Sequence, residues 1–167
     1  MRILWTAVAM SAALLQGNAI KPVIAAIEVG SDRIDKVTSL YGPGAASSGG
    51  GVQAVCYFVE QDGTYLSVST FEGNRLIQSV VLTRFAAVPP GCRNARIAGR
   101  HLTAFRGIAI GDPESSVRRV LGAPSKSGTV RLGGHDVKYL DFEIPHGRAT
   151  CQFDAGKLML VGIEAQD

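Results

Sequence analysis

Three histidines, three cysteines and a few closely spaced carboxylates are the residues of this chain whose chemistry reaches beyond packing. His135 and Asp136 stand together in a Gly-Gly-His-Asp run. An acid beside an imidazole can hold a general base in the right tautomer. No Gly-x-Ser-x-Gly or comparable nucleophile motif accompanies the pair, so it reads as a solvated turn entering a strand. Asp141 and Glu143 lie two apart, which on a strand puts both on one face. Paired carboxylates there could move protons, and a solvated strand face accounts for them as well. His101 and His146 have no such neighbours in sequence. Cys56, Cys92 and Cys151 contain no Cys-x-x-Cys spacing and no histidine at ligand distance along the chain, so no metal site is expected. The stretch 42–51, Gly-Pro-Gly-Ala-Ala-Ser-Ser-Gly-Gly-Gly, lacks the Gly-Lys-Ser/Thr of a phosphate loop and reads as a mobile connection. No catalytic residue and no cofactor is therefore expected, and the chain is read as a non-enzyme.

The cysteines acquire a context from the N-terminus. Arg2 precedes an apolar run over residues 3–15, and the small residues Gly17 and Ala19 follow at a plausible cleavage point. That is the pattern of a signal peptide over residues 1–19, with alternative cuts after Ala25 or Ala26. The run is short for a membrane span, and no cysteine follows it to carry a lipid. Export to the periplasm or beyond is the expectation. Three cysteines in an oxidising compartment imply one disulfide and one spare thiol. Cys92 can bridge to either of the others, and Cys92–Cys151 is the expected pair.

Of 167 residues, 17 are Lys or Arg and 14 are Asp or Glu, a formal charge of +3. Arg2, and Lys21 if the cut falls late, leave with the leader, so the mature chain is close to neutral. A general nucleic-acid partner loses its electrostatic basis. The remaining asymmetry is local: no acid occurs between Glu72 and Asp112, while Arg93, Arg96, Arg100 and Arg106 fall in residues 84–106.

The strongest structural signal is 107–124. Asp112 is the expected N-cap, Pro113 the first helical position, and Gly122 with Pro124 the stop. Val117, Val120 and Leu121 form one apolar stripe. The same chemistry recurs eighty positions earlier, where Asp32 (or Ser31) caps, Val37, Leu40 and Tyr41 form the stripe, and Gly42-Pro43 ends the helix. Strands are expected at 52–60, 64–71 and 76–83, and again at 137–144, 148–153 and 158–164, with Asp62-Gly63 and His146-Gly147 as turns. The reading is a duplicated unit: α+β, two tandem helix-plus-antiparallel-meander units over 27–83 and 107–167, sheets side by side, joined by an Arg-rich linker over 84–106.

Gly107-Ile108, Gly111, Val117 and the Leu121-Gly122-Ala123-Pro124 ending resemble the opening of the SmpA/OmlA-type outer-membrane assembly lipoproteins and of the β-lactamase-inhibitor-protein fold. The likeness covers the second unit better than the first. It implies a BLIP-like fold and binding of proteins at the envelope, without a specific target. The lipidated cysteine of the lipoproteins has no counterpart in this chain, and its cysteine pattern is sparser than the inhibitor's.

Tyr57 and Tyr139 hold equivalent places in the two units. Either each packs beneath its helix, or their rings stand on an exposed sheet face and anchor a partner. Arg93, Arg96 and Arg100 are either solvated or attract an anionic envelope surface. The function expected is an exported, non-catalytic protein-binding module of the bacterial envelope, with another envelope or secreted protein as partner. A secreted enzyme inhibitor is the alternative, and a small hydrolase ranks last.

Overall fold

A computed structural model describes residues 21–84, 91–97 and 101–166. The expected leader over 1–19 and Arg100 lie outside the described residues.

Alternation is the rule along the longer strands. In β5 (Thr64–Phe71), Thr64, Leu66, Val68 and Thr70 are buried, and the residues between them are not. β10 (Gly147–Asp154) repeats the pattern with Ala149, Cys151 and Phe153. A period of two with one apolar face dictates strands packed on one side. In chain order the elements are β1 (Val23–Ile24), β2 (Ile27–Glu28), α1 (Ile34–Tyr41), β3 (Ala45–Gly49), β4 (Val52–Val59), β5, β6 (Ser79–Thr83), β7 (Arg93–Asn94), α2 (Glu114–Leu121), β8 (Lys126–Leu132), β9 (His135–Ile144), β10 and β11 (Lys157–Ala165).

The strands β3-β4-β5-β6-β11-β10-β9-β8 form one antiparallel sheet in that order, and β7 adds a short parallel pairing to β4. β6 and β11 join the two halves, with Val80 opposite Ile163 and Leu82 opposite Val161. The expected α+β class with two tandem helix-plus-meander units is thereby corrected. Strands make up 52% of the described residues against 14% helix, and the halves share one sheet rather than carrying one each. The physical reason is visible in the helices. Each has eight residues and buries only two of them, Val37 and Tyr41 in α1, Val117 and Leu121 in α2. A patch of that size seals part of a sheet without forming a layer equal to it. The rest of the cover comes from irregular chain: Ile24, Ile27 and Val29, with Leu102, Ala104, Phe105 and Ile108, join the same core. A cut after Ala25 or Ala26 would remove Ile24 from that core.

Two further expectations are corrected locally. Gly42–Gly51 is not a loop throughout: Ala45–Gly49 form β3, paired with β4 through a two-residue turn at Gly50 and Gly51, whose φ values are 60° and 78°. Paired positive φ values of this kind close a tight hairpin, and glycine adopts them without cost. β8 is likewise a strand absent from the sequence reading, closed onto β9 through Gly133-Gly134. Asp32 and Asp112 do not cap their helices, whose N-cap positions are Arg33 and Pro113 with no side-chain cap. Their carboxylates bond backwards instead, accepting from the N–H of Glu28 at 2.6 Å and of Ala109 at 2.9 Å. Their carbonyls accept from Ile77 and Leu158, tying each helix entrance to the chain at the start of a sheet strand or just before it. Gly111, Gly42 and Gly122 do take positive φ, and the last two end the helices as expected.

Candidate functional site

The residues singled out from sequence scatter. Tyr57 is 0% exposed and packs against α1, its ring 5.6 Å from that of Tyr41 and its hydroxyl donating to the Gly42 carbonyl at 2.9 Å. Of the two placements open in the sequence it takes the packed one, and a side chain with no surface cannot touch a partner. Burial raises its phenol pKa above the ordinary value, and a backbone hydrogen bond from Gly44 opposes the shift. Tyr139 lies on the other face of the sheet, because Lys138 beside it points to α2 and donates to Glu114 at 2.9 Å. The Lys126 ammonium stands 5.9 Å from the Tyr139 ring centroid. Arg93 is exposed on β7, and the exposed Arg96 runs its side chain across Gly42.

The expected Cys92–Cys151 bridge is corrected to Cys56–Cys92. Cys56 stands on β4 next to the residues that pair with β7, so the bond fastens the linker segment to the sheet. Cys151 is free and buried in the core, and its thiol is pushed up to about 12, chiefly by burial and then by the charge of Asp141. His135 and Asp136 are both exposed on β9, opposite Leu132 and Arg131. Asp141 accepts from the Thr150 hydroxyl at 2.7 Å, and Glu143 faces Ser125. Among the described residues, no group of three or more His, Cys, Asp or Glu side chains could hold a metal ion.

What the fold does assemble is a strand edge that has no partner among the described residues. β3 is the last strand on one side, and its sequence, Ala-Ala-Ser-Ser-Gly, has no charge and no proline. The two-residue turn makes Gly49 and Val52 the hydrogen-bonded pair that closes the hairpin. The alternation then turns the N–H and C=O of Ala46 and Ser48 outward. Both residues are exposed. Beside this edge lies a cavity of about 290 Å³ lined by Ile34, Ala46, Ser48, Gln53, Val55 and Thr70. The opposite edge, β8, differs: Lys126 and Arg131 lie on it, and charged side chains on an edge discourage further pairing. Sequence reasoning missed β3 because small residues carry no hydrophobic period. The pairing partner, β4, supplies the order.

A second grouping also escaped the sequence. His101, at the end of the linker, bonds through Nδ1 to the Asp62 carboxylate thirty-nine positions earlier. Nothing in the spacing announces that contact.

No family model matches the chain, and no curated protein matches it. Among solved structures, the fold is similar to a cysteine-rich secretory protein from Staphylococcus aureus, with a TM-score of 0.56 and 16% identity over 89% of this chain. The alignment takes in 48% of that protein, so the chain spans about half its length. It is also similar to a DUF4309 family protein, YjgB, from Bacillus subtilis, with a TM-score of 0.53 and 10% identity over 84% of this chain and 82% of that one. At these identities the shared property is the fold.

Proposed function

We propose that the protein is an exported, non-catalytic protein-binding module of the bacterial cell envelope, and that it takes up an extended segment of another protein along β3. The observation that carries the reading is the uncharged edge of β3, with outward amide and carbonyl groups at Ala46 and Ser48. An unpaired edge offers main-chain hydrogen bonds to any extended chain, and a neighbouring pocket selects among side chains. The cavity beside Ile34 would receive one apolar side chain of the partner in each such pairing. Export is supported by the Cys56–Cys92 disulfide, which suits an oxidising compartment, and by the apolar N-terminal run. No helix of the described residues is long and apolar enough to cross a membrane. The staphylococcal protein of similar fold is described as secretory, which agrees with the proposal.

The test is peptide binding by edge variants. Random extended peptides selected on the wild-type protein are titrated against Ser48→Pro and against Thr129→Pro on β8. Proline at 48 deletes an outward N–H and leaves the β3–β4 bonds in place; Thr129 occupies an outward position on the other edge. Loss of binding by about tenfold or more in Ser48→Pro alone, with the unfolding midpoint held, supports the reading. Equal binding by all three proteins, or selection of no extended peptide, removes it.

A further inference from the structure

At the end of the sheet where β5 begins, four stretches of chain converge on a cavity of about 110 Å³, at Asp62 and Thr64, Arg84, His101 and Leu102, and Ala109 and Ile110. The sheet brings them together. Tyr65 pairs with Thr83, so Thr64 and Arg84 are neighbours across the β5–β6 ladder. Asp62 ends the short turn before β5, where Gly63 adopts a left-handed conformation.

The oxygens of Asp62 in this cavity are already engaged. One oxygen of the Asp62 carboxylate bonds to His101, and the other accepts from the Leu102 N–H at 3.0 Å. The Asp62 carbonyl faces Arg84 Nε at 3.4 Å. The N–H of Ala109 is spent on Asp112. What is left over is donors. Thr64 is 2% exposed, and its Oγ1 is buried with no hydrogen-bond partner among the described residues. Arg84 is exposed, and among the described residues its guanidinium makes one hydrogen bond, through Nε. A buried hydroxyl without a partner is costly enough that native proteins rarely leave one.

We propose that this cavity is a binding site for a small oxyanion, a carboxylate or a phosphate monoester, held by Arg84 and by the Thr64 hydroxyl. The Asp62 carboxylate, which would otherwise repel an anion, is tied up by Leu102 and by the His101 imidazole. The Arg84 guanidinium supplies the planar, doubly donating group that such oxygens fit. The Thr64 hydroxyl gives its proton to the same ligand and loses its orphan status. The ligand completes a polar cluster that the protein alone leaves one acceptor short.

The experiment titrates the disulfide-bonded protein with sodium phosphate and, separately, sodium acetate at constant ionic strength, following the amide signals of Thr64, Leu102 and Ile110 by NMR. Saturable shifts with a Kd of about 10 mM or below are expected for one anion or both. Arg84→Gln should weaken binding by about tenfold or more, and Thr64→Val by about threefold or more. Arg119→Gln, an exposed cation on α2, should bind as wild type. Tighter saturation by phosphate assigns a phosphate monoester, and tighter saturation by acetate assigns a carboxylate. Shifts that stay linear with concentration, or equal affinity in Arg84→Gln, Thr64→Val and wild type, overturn the proposal. Thermal melts of each variant keep a folding defect from being read as lost binding.

Discussion

The ring of Tyr57 lies across Gly44 so closely that a Cβ on Gly44 would sit 2.8 Å from Tyr57 Cζ. Tyr139 covers Gly128 in the same way, with a Cβ there 2.7 Å from the ring. In both cases an aromatic side chain on β4 or β9 fills the space that a glycine leaves. The two rings differ in freedom. Tyr57 is fully buried and its hydroxyl is fixed to Gly42, whereas Tyr139 is half-buried on the far face. Gly44→Ala should therefore cost about 1–3 kcal/mol, and Gly128→Ala less, because its ring can swing outward. Urea unfolding of the two variants checks the order.

The turn between β1 and β2 has an opposite expectation. Ala25 and Ala26 both have positive φ, 54° and 63°, in a two-residue loop that joins Ile24 to Ile27. Side chains in that region carry a penalty of about 1–2 kcal/mol, and glycine does not. Ala26 is exposed, so removing its methyl sacrifices little packing. Ala26→Gly should raise stability by about 1 kcal/mol, measurable as a higher denaturant midpoint at unchanged slope.

The cysteines predict two separable effects. Cys56 and Cys92 are 36 positions apart, and a crosslink of that span restricts the unfolded chain by about 3–4 kcal/mol. Reduction, or replacement of both residues by serine, should lower stability by that order. Cys151 should resist a thiol reagent until the protein unfolds. Its folded pKa is raised to about 12 from 9.0, so above pH 9 the unfolded thiol ionises and the folded one does not. The stability it contributes is present below pH 9 and falls as pH rises towards 12, by about 1.4 kcal/mol per unit relative to Cys151→Ala. Parallel stability curves for the two proteins across that range would contradict this.

Glu114 titrates in the other direction. Lys138 holds its carboxyl below the ordinary value of 4.5, with Arg118 as the next contributor. Stability from this trio is present above that ordinary value and is lost as pH falls through the lowered one. All three groups are partly exposed, so Glu114→Gln should cost less than about 1 kcal/mol at neutral pH. The difference from wild type should vanish at the acid end of a pH series of unfolding curves.

How much of this was legible differs by element. The helix ends at Gly42 and Gly122 and the strand at 64–71 were readable because their signals are local: a positive φ that glycine favours, and a period of two. The roles of Asp32 and Asp112 were misread for the same reason. A carboxylate at a helix entrance looks like a cap in sequence, and only the chain path shows that Glu28 and Ala109 reach it first. Tyr57 and Tyr139 align along the chain and yet face opposite sides of the sheet. Their hairpins share composition but not the side of the sheet on which the ring falls, and a shift of one residue exchanges the faces.

The candidate sites were almost silent in the sequence. β3 contains nothing hydrophobic enough to signal a strand, and His101 meets Asp62 across thirty-nine positions. By itself the sequence determined where the helices end and which face of the long strands is apolar, because those properties belong to single residues and their near neighbours. The tertiary structure alone decided that the strands of both halves share one sheet through β6 and β11, that Cys92 meets Cys56, and that Thr64 ends beside Arg84. Each of those is a choice of partner among distant segments. It is settled by backbone hydrogen bonding and burial summed over the whole sheet, which no short stretch of sequence contains.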